Sequence, residues 1–401
     1  MIFMRGRYKN HIYDNEFQDK FENGGLPQHV DIPRLEKGRQ GGAFWSAFWP
    51  CPMGNSTDFS DERYSSSKFC NHRRSIKHLL TISVVKGTLD QLDLFQRLGQ
   101  QYPKYFTPSR SSAEAIKAFN DGLFISPTAI EGLHQIGNSI STLRLYHQLG
   151  VRYATLTWNC HNKYADAALE TGEGFKTTIA KPYWHGLSNP AGRDLIKEMN
   201  RLGMLVDLSH VSQDTMRDVL VGKGDGDWKG SLAPPIFSHS SAYSICPHPR
   251  NVPDDILQLV KKRNSVVMVN FSPGFVSCKP GKTPEDLPED VPANATLHQV
   301  VRHIRHIGEL IGYDHVGIGT DYDGIESTPT GLEDVSKFPD LIAELLRQGI
   351  SDEDAAKIAG RNVLRVWAEA DRVAKDLQKK MKPLEDDLEN SWAAEEVGKI
   401  L

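Results

Sequence analysis

Asp207-Leu-Ser-His210 and Ile236-Phe-Ser-His239 are two short, largely apolar runs that each stop abruptly at a histidine. A run of that length reads as a buried strand, with the histidine standing where the strand gives way to a loop. In a barrel of alternating strands and helices, that end of the strands collects catalytic and metal-binding groups. Two such histidines on successive strand ends can share one metal ion. Two imidazoles alone do not make an enzyme, so other parts of the chain must complete the site.

Outward from these runs, strand-like and helix-like segments alternate. Candidate strands cover residues 43–49, 153–157, 205–208, 235–238, 265–270 and 315–319. Amphipathic segments separate them at 88–98, 140–149, 193–202, 254–261 and 297–311. Strands separated by helices predict βαβ units and a parallel sheet. At 401 residues the expected architecture is α/β, a TIM-barrel-like (β/α)8 domain over residues 1–370 with a charged helical tail over 371–401. Three segments break the rhythm: a polar excursion at 51–74, and Gly- and Pro-rich loops over the barrel mouth at 172–190 and 278–292.

Composition narrows the function classes. A net charge of −4 gives no strong pull toward nucleic acid or anionic membranes. No apolar stretch is long enough for a membrane span, and the first residues lack the apolar core of a secretory signal. The five cysteines contain no CxxC pair, so no zinc motif is legible in their spacing. They fit reduced, buried thiols, whereas the sequons at Asn55 and Asn294 fit a secretory protein, and composition leaves the compartment open.

Three further residues carry chemistry. Glu131, in Ala129-Ile-Glu-Gly-Leu-His134, follows an apolar run and suits a metal ligand that can bridge two ions; alone, it reads more readily as a salt-bridged loop glutamate. Asp321 emerges where Val316-Gly-Ile-Gly-Thr-Asp321 stops, placed for acid/base work or metal binding. Arg250 lies eleven residues past His239 in a turn-rich loop, where its guanidinium can clamp a carboxylate or simply face solvent. His161 and His185 fall in the mouth loops, and His72, His78, His147, His298, His303 and His306 read as surface or packing residues.

Together these stretches resemble the membrane (renal-type) dipeptidase family of zinc-dependent peptidases. The likeness runs from Gly41 to Trp367 and is carried by Ala129-Ile-Glu-Gly132, Val206-Asp-Leu-Ser-His-Val-Ser212 and Ile236-Phe-Ser-His239. It continues through Arg250-Asn-Val-Pro-Asp-Asp255, Gly317-Ile-Gly-Thr-Asp-Tyr-Asp-Gly324 and Gly331-Leu-Glu-Asp-Val-Ser336. The resemblance implies a homodimeric barrel hydrolysing dipeptides. Glu131 is then the carboxylate bridging two zinc ions, His210 and His239 are ligands, Asp321 is the acid/base, and Arg250 holds the substrate's terminal carboxylate. It also implies disulfides Cys51–Cys160 and Cys246–Cys278, with Cys70 left over, and hence a secretory or membrane-associated protein.

The chain departs from the family at two places. The family's first zinc is held by a His-x-Asp pair on the first strand, and no such pair stands near Arg5-Gly-Arg-Tyr8. His11-Ile-Tyr-Asp14 has a different spacing. The expectation is a chain shortened at its N-terminus, lacking part of the first strand and one zinc ion, with impaired turnover. Trp158 stands where relatives carry a histidine near the oxyanion, which makes Trp158 and His161 candidate substrate contacts. The rival readings are an inactive ligand-binding relative, an amidohydrolase acting on non-peptide amides or lactams, and a plain scaffold.

Overall fold

One parallel sheet organises the chain: β1 (Trp45–Ala47), β2 (Thr128–Glu131), β3 (Val151–Thr155), β4 (Leu205–Asp207), β5 (Ile236–Phe237), β6 (Val266–Val269) and β7 (Val316–Ile318), hydrogen-bonded in that order. This is a computed structural model, and it describes residues 7–52, 57–60, 63–64, 67–68, 81–172, 176–224 and 226–385. Asn55, Cys70, the chain before residue 7 and the tail beyond 385 lie outside the described residues. Among the described residues β1 and β7 each have a neighbour on one side only, yet Trp45 and Ile318 line the same cavity, so the sheet curls toward closure.

The alternation of side chains explains why these short runs become strands. Ile130, Val206, Phe237 and Val267 point outward into a layer shared with the helices, while Ala129, Leu205, Ile236 and Val266 point inward. The helices between strands include α1 (Val84–Gln101), α2 (Ile140–Gln148), α3 (Ala191–Leu202), α4 (Gln213–Val221), α5 (Asp254–Lys262) and α6 (Leu297–Ile311). After β7 come α7 (Phe338–Arg347) and α8 (Asn362–Gln378), the latter taking in residues 371–378 of the predicted charged tail. The boundaries of α6 are those of the sequence pattern, because Thr296 Oγ1 caps Gln299 N at 3.3 Å and Gly312, at φ +100°, stops the helix. The two mouth loops are structured as short antiparallel hairpins, Leu169–Thr171 with Thr177–Ile179 and Cys278–Lys279 with Glu289–Asp290.

Trp367 of α8 plugs the floor of the barrel against the inward layer and is fully buried. A ring of that size contributes on the order of 3–5 kcal/mol. Above it, the strand ends crowd together. A Cβ on Gly319 would lie 1.9 Å from the Ser238 carbonyl oxygen, so only glycine lets β7 approach β5 there. The described residues contain both disulfides, Cys51–Cys160 and Cys246–Cys278. No helix among them is long and apolar enough to cross a membrane.

Burial also sets an acid limit on this fold. Desolvation depresses His134 and His303 to about 4 and His248 to about 3, well below the ordinary histidine value. The unfolded chain binds these protons near pH 6.5, so stability is intact above that pH and is lost as pH falls toward 4. We expect the urea midpoint to drop steeply between pH 6.5 and 4. His303→Gln should remove about 1.4 kcal/mol per pH unit from that slope; an unchanged slope would contradict the assignment.

Candidate active site

β2, β4 and β5 deliver three donor atoms to one point. His210 Nε2 lies 3.0 Å from Glu131 Oε1, His239 Nε2 lies 3.5 Å from the same oxygen, and the two Nε2 atoms are 3.0 Å apart. The rings are oriented by a hydrogen-bond frame centred on Asp207, whose buried carboxylate accepts from Thr155 Oγ1 at 2.6 Å and from Ser238 Oγ at 2.6 Å. Because Ser238 gives its only proton to Asp207, it must accept from His239 Nδ1, 2.7 Å away. That leaves the lone pair of neutral His239 on Nε2. His210 Nδ1 donates to Asn159 Oδ1 at 3.0 Å, with the same consequence. His210 sits at φ +70°, a left-handed backbone uncommon for a residue with a side chain, which turns its ring back over the strand ends.

Two lone pairs and a carboxylate facing one another form the donor set of a divalent cation. Electrostatics say the same. Burial and the Arg250 charge hold His210 well below its ordinary pKa. Burial opposes a proton on His239, but the Asp321 and Glu131 carboxylates outweigh it and raise its pKa. Burial would raise Glu131, and its contacts with both imidazoles instead hold it well below the carboxylate range. A proton on His239 therefore stands where the positive charge of a metal ion fits. Glu131, His210 and His239 are the residues that could hold it.

Arg250 is the second element. It is 1% exposed, and all three of its guanidinium nitrogens lack a hydrogen-bond partner. It packs over the Phe275 ring with 5.3 Å to the centroid, and burial lowers its pKa to about 10. It lines the same cavity as Glu131, His210, His239 and Asp321, about 1980 Å³ in volume. A desolvated cation without a partner costs several kcal/mol, so an anion is expected to complete it.

Asp321 follows β7 at φ +60° in a turn closed by Gly324 N, which donates to the Asp321 carbonyl at 2.9 Å. Burial, reinforced by the Glu131 charge, raises its carboxyl to about 6, against the lowering pull of His239 and Arg250. Trp158 lines the cavity, with its ring centroid 6.3 Å from that of His210 and 4.8 Å from Phe48. His161 does not line it. That ring is buried between Asp166 (3.2 Å) and Glu170 (3.3 Å), under the hairpin, which gives it a structural partner set in place of an open mouth position.

Asp207, Ser238, Asn159 and His248 were not singled out by sequence reading. Asp207 and Ser238 stand inside the two runs quoted at the outset, and a polar residue within a buried strand was the available signal. His248 accepts from Arg250 N at 3.1 Å and stacks 4.3 Å from Phe275, fixing the arginine's loop.

A parallel α/β barrel with two imidazoles and a carboxylate gathered at its C-terminal strand ends is an arrangement suited to metal-dependent hydrolysis. The sequence profile of the family described as Membrane dipeptidase (Peptidase family M19) matches residues 8–381, and the chain belongs to that family. It is 42% identical to Dipeptidase aclJ of Aspergillus oryzae over 389 residues, which is 96% of this chain and 80% of that protein. It is 40% identical to Dipeptidase tcpJ of Claviceps purpurea over 381 residues, 95% and 78% of the respective chains. The fold matches a metallo peptidase from Rhodobacter sphaeroides, liganded with a phosphinate mimic of L-Ala-D-Ala, with TM-score 0.68 at 23% identity, covering 92% of this chain and 96% of that one. It also matches the probable dipeptidase PvdM from Pseudomonas aeruginosa, with TM-score 0.70 at 21% identity over 87% and 90%.

Proposed function

We propose that this metal-dependent dipeptidase cleaves its substrate at the Glu131–His210–His239 centre, with Arg250 and Asp321 as the substrate-binding and proton-handling groups. The observation that carries the reading is the buried, unpartnered Arg250 guanidinium beside a cation site. A dipeptide has its C-terminal carboxylate one residue from the scissile carbonyl, so a fixed arginine-to-centre span admits dipeptides and leaves longer chains misplaced. Zinc fits two imidazoles and a carboxylate, and when bound it polarises the peptide carbonyl and lowers the pKa of water at the site.

The chain's own groups do the rest. Arg250 holds the carboxylate bidentately. Asp321, with its carboxyl raised toward neutrality, takes the proton of the attacking water and passes it to the departing amine. Trp158 and Phe48 form an apolar wall beside His210. The two disulfides and the exposed Asn294 sequon support a secretory setting, and the family likeness supports a homodimer.

Asp321→Asn tests the proton role. The variant should fold and bind metal, with kcat lowered about 10²–10⁴-fold and KM changed only a few-fold. A kcat within a factor of three of the wild type would remove Asp321 from the reaction.

A further inference from the structure

Beside the disulfide Cys51–Cys160 lies a third donor that the reaction does not use. His134 is 1% exposed, its Nε2 lies 2.7 Å from the Trp49 carbonyl oxygen, and its Nδ1 faces Cys51 Sγ at 4.0 Å. A carbonyl can only accept, so the single proton of the neutral ring sits on Nε2 and the lone pair on Nδ1. A disulfide sulfur has no proton to offer that lone pair. Burial keeps the ring neutral, with its pKa near 4. Gly132 makes room for the ring, since a Cβ there would come within 2.5 Å of His134 Nδ1. His134 Nδ1, Cys51 Sγ and Cys160 Sγ all lie within 4.8 Å of one another. Tetrahedral zinc holds sulfur at about 2.3 Å and nitrogen at about 2.0 Å, which puts neighbouring donors roughly 3.5–4 Å apart. The Nε2–H donated to a backbone carbonyl is the outer contact that metal-binding histidines use to aim the other nitrogen.

We propose that, once the Cys51–Cys160 bond is reduced, the two thiolates and His134 Nδ1 form a second, buried three-donor binding site for a thiophilic divalent cation such as Zn2+ or Cd2+. The reaction balances with a dithiol as reductant. The dithiol gives two electrons and two protons to the protein disulfide and itself becomes a disulfide. The cation then displaces the protons of both cysteine thiols as it binds. The site is remote in sequence, its cysteines 109 positions apart, and so shows no CxxC spacing.

The location gives the switch a consequence. Cys160 directly follows Asn159, the acceptor that orients His210. The Cys51–Cys160 link anchors that segment to the end of β1, and in the reduced protein the bound cation takes over as the anchor.

The test uses cadmium alone as probe on the full chain carrying Cys70→Ser, Cys246→Ser and Cys278→Ser. Dithiol treatment should raise the free-thiol count from zero to two. The reduced protein should then bind one more Cd2+ per chain than the oxidised protein, with thiolate-to-cadmium charge-transfer absorption that the nitrogen–oxygen catalytic centre cannot produce. His134→Gln should weaken that extra site more than about 100-fold while leaving the thiol count at two. If the background variant does not fold, the same titration on the native chain with and without His134→Gln reads the same difference. No extra cadmium after reduction, no release of thiols, or an affinity indifferent to His134→Gln each overturns the proposal.

Discussion

Glu131→Gln is expected to lower kcat/KM for a dipeptide by about a thousandfold or more, with the fold retained. The side chain touches both imidazoles, so in the proposed centre its carboxylate is the one negative ligand. The amide is nearly isosteric but neutral, and it loses the charge that holds a divalent cation between two neutral rings. A loss of about 4 kcal/mol of transition-state stabilisation corresponds to that factor. Bound metal should fall in parallel. Thermal stability in the metal-free state should change little, because Glu131 anchors no packing layer. Wild-type turnover in Glu131→Gln would show that the centre lies elsewhere.

Arg250→Met should separate activity from stability. In the structure the guanidinium is desolvated and lacks a hydrogen-bond partner, which penalises the substrate-free protein. Methionine fills a similar volume without charge, so the variant should melt at a higher temperature than the wild type, by about 1–3 kcal/mol of added stability. The same change removes a bidentate charged contact worth roughly 3–5 kcal/mol, lowering kcat/KM about 10²–10⁴-fold, chiefly through KM. A dipeptide whose C-terminus is amidated should suffer a similar loss with the wild type and no further loss with Arg250→Met. If Arg250→Met still prefers the free acid over the amide, another group holds the carboxylate.

The fold was legible wherever apolar runs met clear stops. Six strand segments were predicted: five contain an observed strand, the run at 153–157 overlaps β3, and β2 was not among them; the predicted runs extend past the ladder at Ser238, Asn270 and Gly319. Those residues leave the ladder because they turn toward the site or allow close approach, which hydrophobic periodicity does not register. α4 was missed because Gln213-Asp-Thr-Met-Arg begins polar, although Ser212 caps it at Thr215 N. The Gly- and Pro-rich loops hide hairpins whose pairing is set by the strands beneath them.

Of the site, Glu131, His210, His239 and Asp321 could be read as chemistry-bearing types at strand ends and Arg250 as one in a turn-rich loop, and the structure gathers all five around one cavity. The orienting frame could not be read. Asp207 is the residue before the end of an ordinary apolar run, and only the fold shows Thr155 and Ser238 converging on its carboxylate. His161 was expected at the open mouth, and its place beneath a hairpin depends on Asp166 and Glu170, which pair with it only after folding.

We propose that peptide hydrolysis depends on a cation held by Glu131, His210 and His239. Metal content and dipeptide hydrolysis measured on one preparation, before and after chelation and in His239→Ala, test it most directly. Turnover and bound metal should fall together on chelation, return together when Zn2+ is added, and both be lost in His239→Ala. Undiminished dipeptide hydrolysis by metal-free protein would contradict it.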